Sequence, residues 1–134
     1  MAYLPNGHPD SGTTNKQSLS SSEILALNST PITLVAAPGS GKAVQVLAIS
    51  MKHNFSGSAY VVAGVLEIKH AGGTNLVPPS TSLLLATSTK TFWTTPLAGE
   101  MLENAALQIS ATVANPTTGG GSLDVYVTYR VINL

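Results

Sequence analysis

The 134-residue sequence has no cysteine, which excludes disulfides, thiolate nucleophiles and cysteine-ligated metals. Charge is scarce: charged residues make up 9% of the chain, against roughly 25% in an ordinary soluble domain. Six basic residues balance six acidic ones, for a formal net charge of zero. No basic stripe exists of the kind that phosphate neutralisation needs, so nucleic acid is not an expected partner. Long hydrophobic runs are missing too. The longest uncharged apolar stretches, residues 31–40 and 56–66, are broken by Thr, Gly, Pro or Ser and fall short of the roughly 18 residues a spanning helix requires. No membrane association is expected. The first ten residues show no basic region followed by an apolar one, so no signal peptide is expected either.

What the chain does have is hydroxyl side chains, with 15 Ser and 15 Thr solvating a surface that Lys and Glu would normally cover. This composition favours strands over helices. A near-neutral, charge-poor surface opposes association only weakly, which points to a protein that works in an assembly. One domain is expected, because about 100 patterned residues suffice for one core.

Composition changes near residue 30. Residues 1–30 are rich in Ser, Thr, Asn and Gly, and they read as an extended N-terminal arm outside a β-sandwich domain of residues 31–134. Ordering each arm residue costs roughly 1–2 kcal/mol of backbone entropy, so anchors are needed. The apolar candidates are Tyr3 and Leu4 near the tip and Ile24, Leu25 and Leu27 near the root, expected to lie across neighbouring subunits while the domain folds without them.

From Pro31 onward, strand patterns alternate with turn signals. In Lys42–Asn54, Val44 and Val46 alternate in one phase and Leu47, Ile49 and Met51 in the other, which predicts a bulge or a strand passing between sheets. Tyr60–Lys69 reads as a central strand, apolar on both sides at first. Ser80 or Ser82 is positioned to cap a brief helix through residues 83–86. Residues 105–114 are expected to pair with residues 123–134 across a glycine-rich turn. In that last strand Leu123, Val125, Val127, Tyr129 and Val131 share one face, and Asp124, Tyr126, Thr128 and Arg130 the other. Seven or eight strands without a helical crossover predict an all-β fold: an antiparallel β-sandwich of jelly-roll-like topology.

No motif carries chemistry. Residues 36–43 imitate a phosphate-binding loop, but Ala36 and Ala43 stand where Gly and Ser or Thr are required, and a strand follows instead of a helix. The stretch reads as a tight turn with Lys42 at its edge. His8 lies in the arm, while His53 and His70 read as solvated histidines at strand ends, and no histidine spacing matches a metal site. Glu100 and Glu103 share one loop and read as exposed charges, not as a glycosidase pair. No G-x-S-x-G elbow is present. The sequons at Asn28 and Asn54 are read as chance. Phe92 and Trp93 are read as core or subunit interface in preference to a ligand platform. No enzyme activity, cofactor or metal is expected.

Four stretches, Leu34–Leu47, Phe55 with Ala59-Tyr60, Leu102–Leu107 and Val125–Val131, together resemble small all-β structural proteins of tailed bacteriophages, of the head decoration or cement type. The resemblance covers residues 31–134 and rests on turns and strands, not catalytic signatures. It implies a homotrimeric virion protein on the outer capsid surface, made in the host cytoplasm and bound to several major capsid protein subunits. The alternative is a phage fibre, spike or carbohydrate-binding sandwich module.

Overall fold

The computed structural model describes residues 12–79 and 83–134. Among them are seven strands and one short helix: β1 (Thr13–Leu19), α1 (Ser21–Ile24), β2 (Ile32–Val35), β3 (Lys42–Phe55), β4 (Leu66–His70), β5 (Lys90–Thr94), β6 (Leu107–Ala111) and β7 (Gly121–Asn133). They form two antiparallel sheets, of order β1-β7-β3-β5 and β2-β6-β4. The chain is the expected all-β sandwich.

Alternation along β7 shows why the sheets face each other. Side chains on a strand point to opposite faces in turn, so Leu123, Val125 and Val127 enter the core while Asp124, Tyr126 and Thr128 face outward. Leu107, Ile109, Leu66 and Ile68 of the smaller sheet join them in one buried cluster. The phase change in β3 is a bulge: Val46 pairs with Tyr129 and Ala48 with Thr128, leaving Leu47 as the extra residue. Val44 and Val46 before it, and Ile49 and Met51 after it, thus all face inward. The strand stays within one sheet throughout.

Consecutive strands alternate strictly between the sheets, so every connection crosses from one to the other. This is the strand order of a jelly roll lacking the strand that would follow β4 at the edge of the smaller sheet. Loop residues cover that edge instead, as an exposed ladder needs: the Leu76 N–H donates to the Ile68 carbonyl (2.8 Å) and the Ile68 N–H to Asn75 Oδ1 (3.1 Å).

The division expected at residue 30 does not hold for residues 13–27. β1 pairs with β7 from Thr13–Tyr129 to Leu19–Leu123, and Leu19, Ile24 and Leu27 are fully buried. An edge strand with a solvated face needs few apolar residues, which is why its polar composition concealed it. Helix α1 opens with a capping box: the Ser20 N–H donates to Glu23 Oε2 (2.7 Å) and the Glu23 N–H to Ser20 Oγ (3.3 Å). Three further expectations are corrected. The strand read at Tyr60–Lys69 is only Leu66–His70 and lies at an edge. Leu83–Leu85 form a turn, not a helix, and the caps read at Ser80 and Ser82 lie outside the described residues. β6 and β7 belong to opposite sheets and form no hairpin.

The sandwich has two ends. At the Asn115 end the β1–β2, β3–β4 and β6–β7 connections meet. There Asn115 Oδ1 accepts from the Asn28 and Ser29 N–H groups (2.8 and 3.0 Å), and Val61 and Thr117 exchange backbone bonds (2.8 and 2.9 Å). At the Glu103 end, the β2–β3 turn meets the segment entering β6.

Candidate functional site

The outer face of the four-stranded sheet gathers the most unusual surface chemistry. Directly opposed residues on paired strands share a face, and the register Lys16–Tyr126, Tyr126–Ser50 and Ser50–Trp93 makes one row across all four strands. The neighbouring row is Ser18, Asp124, Lys52 and Thr91. Trp93 is 74% exposed, and it stands two strands, about 9–10 Å, from Tyr126 at normal strand spacing. Small Ser50 lies between them. The resulting groove of about 420 Å³ is bounded by Ser50, Lys52, Thr91, Trp93 and Tyr126.

Charge is unevenly placed on this face. Lys16 Nζ lies 5.7 Å from the Tyr126 ring centroid and 3.8 Å from Asp124 Oδ2. Asp124 also accepts from Ser18 Oγ (2.7 Å) and Asn54 Nδ2 (3.1 Å). The Ser18 hydrogen bond is the main cause that holds its carboxyl below the usual range, with Asn54 and the charges of Lys16 and Lys52 adding to it against a desolvation effect of opposite sign. Arg130 Nε donates to Gln45 Oε1 (2.6 Å) on the same face. Among the described residues, the two rows beside the groove thus hold two cations, Lys16 and Lys52, and one carboxylate, Asp124, a local excess of one positive charge.

The phosphate-loop imitation has an internal anion. The Gly41 N–H donates to Glu103 Oε1 (2.6 Å) and the Gly39 N–H to Asn104 Oδ1 (2.9 Å). The N–H groups that such a turn would offer a phosphate are thus taken by this chain's own side chains, and Glu103 acts as a brace, not as a free loop charge.

Both strand histidines are buried, contrary to the solvated reading. His70 Nε2 lies 2.9 Å from the Val44 carbonyl oxygen. His53 is fully buried beside Phe55 and Tyr60, and neither ring nitrogen has a hydrogen-bond partner of good geometry among the described residues. Burial pushes its pKa down, only partly opposed by the nearby Leu83 and Gly120 backbone. The bulge places His53 in phase with Ile49 and Met51, which explains its inward direction. Among the described residues, no three His, Asp or Glu side chains converge as a metal site.

The remaining sequence candidates separate. Ile24 and Leu27 are spent on this chain's own core and are not free for a neighbour, while Leu25 is half-buried against that core. Tyr3 and Leu4 lie outside the described residues. Phe92 is half-buried against the core from β5, and Trp93 turns outward. The Trp93–Ser50–Tyr126 row was not legible, because the register of β3 against β5 and β7 is long-range.

The fold thus defines a class, the jelly-roll-like β-sandwich. Within it, a chain of the solved "Cyanophage Pam1 capsid asymmetric unit" is similar to this one with a TM-score of 0.58 and 20% sequence identity, over 96% of this chain and 92% of that chain. At that identity the likeness is one of fold. No protein-family model and no curated protein matches the chain.

Proposed function

We propose that the protein is a structural component of a phage virion that decorates the outer capsid surface as a homotrimer and bridges major capsid protein subunits. The observation that carries this reading is a likeness of fold to a chain of a phage capsid that extends over 96% of the present chain. In this reading the protein is no enzyme and needs no cofactor. It is made in the host cytoplasm and carried on the particle.

The Asn115 end supplies the contact surface. Val61, Leu85 and Val113 are exposed there by 57%, 43% and 77%, on loops without a charged side chain beside them in sequence. Val113 has φ of 68°, a conformation that β-branched residues avoid. Strain of this kind persists where a function requires it, and here it presents an apolar side chain outward. Many equivalent capsid positions compensate for modest affinity at each.

The test mixes purified protein with undecorated phage particles and follows co-sedimentation, with sedimentation velocity of the free protein at micromolar concentration. Attachment in multiples of three, lost in Val113→Asp without a fall in melting temperature, is expected, because Asp tolerates a positive φ better than a β-branched residue does. A protein that stays in the supernatant overturns the capsid reading and leaves the fibre or spike module in its place.

A further inference from the structure

The geometry points to a binding site for an acidic saccharide, a pyranose bearing a carboxylate, in the groove between Trp93 and Tyr126 on the outer face of the four-stranded sheet. Three independent features converge on that chemistry.

The first is the exposed indole. Trp usually buries its large apolar surface, yet 74% of Trp93 is open, on a strand paired with β3 and so held in place. A sugar ring is amphipathic, with a face of C–H groups and a rim of hydroxyls. It can stack its apolar face on the indole and keep its rim wet. The second is the distribution of hydroxyls. Ser50, Thr91 and Tyr126 line the groove together with Trp93, so hydroxyl-bearing residues flank the aromatic platform. The third is charge. Among the described residues, Lys16 and Lys52 against Asp124 leave one excess positive charge in the rows beside the groove, in a protein whose formal net charge is zero. Asp124 is engaged by Ser18 and Asn54, and Lys52 is exposed next to the groove, so an anionic group meets a cation there.

An acidic peptide satisfies the charge but not the shape. Extended peptides dock mainly by adding a strand to an exposed sheet edge, and the groove lies on a face whose central strands β3 and β7 are paired on both sides. Side chains alone do the recognising here, on a preorganised sheet that loses little freedom on binding. The site is also distinct from the Asn115 end, so it stands whether or not the capsid reading does.

Trp93 is the only tryptophan in the chain, so intrinsic fluorescence reports on the groove directly. The full-length protein is titrated with oligogalacturonate and with hyaluronate oligomers, with methyl-esterified oligogalacturonate and poly-L-glutamate as controls. Calorimetry replaces fluorescence for Trp93→Ala. Saturable binding to at least one acidic saccharide is expected. It should weaken about tenfold in Trp93→Ala, as for an aromatic anchor, and severalfold in Lys52→Gln and on methyl esterification, with melting temperatures unchanged. Trp93→Ala should leave particle attachment as it was. Failure of both acidic saccharides to bind, binding indifferent to Trp93→Ala, or equal binding of poly-L-glutamate each overturns the assignment.

Discussion

On the outer face of the four-stranded sheet, Trp93, Tyr126, Lys16 and Lys52 stand on paired strands in fixed register. At the Asn115 end, Val61, Leu85 and Val113 stand on loops joined by scattered backbone bonds and by the amide of Asn115. The first surface is grooved, hydroxyl-rich and, in the rows beside the groove, carries one excess positive charge among the described residues. The second is apolar, and one of its residues is strained. A rigid face recognises a ligand by the chemistry of side chains held in place, whereas an apolar loop end packs against another protein surface and excludes water. The two surfaces thus differ in charge as well as in rigidity, since Lys16, Lys52 and Asp124 stand on the face and Val61, Leu85 and Val113 at the loop end have no charged neighbour in sequence.

The strongest way to break the comparison is to remove the segment that serves both surfaces. β1 carries Lys16 on the face, and the chain beyond it delivers Leu27 and Asn28 to the Asn115 end. Burial of Leu19, Ile24 and Leu27 is worth about 1.5–3 kcal/mol for each side chain, against a net stability of roughly 5–15 kcal/mol for an ordinary domain. Deleting residues 1–27 is therefore expected to abolish cooperative unfolding in calorimetry. A truncated protein that melts like the full chain would show that β1 is dispensable.

A smaller effect should separate the surfaces. His53 points inward next to Tyr60, Leu83 and Gly120, all belonging to the Asn115 end. Its folded pKa lies below the unfolded value of 6.5, so the unfolded chain binds more protons as the solution is acidified. The contribution of neutral His53 is complete above about pH 6.5 and declines as pH falls below it. Urea midpoints should decrease from pH 7.5 to 5, with a flatter profile in His53→Phe. Hydrogen exchange should accelerate at residues 56–60 and 117–121 before it does so in the β1–β7 ladder. Equal acceleration in both regions would refute the separation.

The smallest effect has two signs. Val113→Gly removes the conflict between a β-branched side chain and φ of 68°, and is expected to stabilise the isolated protein by about 0.5–1 kcal/mol in urea unfolding. The same substitution should weaken particle attachment by removing an apolar anchor, and should leave saccharide binding at Trp93 unchanged. Loss of stability would show that the strain had been misjudged.

How much of this was legible follows from the range of the interactions involved. The two faces of β7 are written in local alternation and could be read directly, and the phase change in β3 was visible too, although alternation alone left a bulge and a change of sheet both open until the register decided for the bulge. The signal of α1 could also be read, since Ser20-Ser21-Ser22-Glu23 is a capping-box pattern that the polar composition of residues 1–30 overshadowed. The pairing of β6 with β2 and β4 could not be read, because a glycine-rich turn between two strands suggests a hairpin whether or not the chain then changes sheets. Nor could the groove, which needs three strands brought together from the fiftieth, nineties and hundred-and-twenties regions of the sequence. Trp93 was recognisable as notable, but its outward direction depended on that register.

Strict alternation between sheets also bears on how the protein comes into being. Among the described residues, no strand has its immediate successor as a ladder partner, and β1 pairs with β7 alone. Contacts so distant in sequence slow folding, since loops must close before the pairing rewards them. The sheet that carries Trp93 remains open until β7 leaves the ribosome. Until then its early strands offer unpaired edges to any neighbouring chain, and at high rates of synthesis this interval of exposure is when aggregation competes with folding.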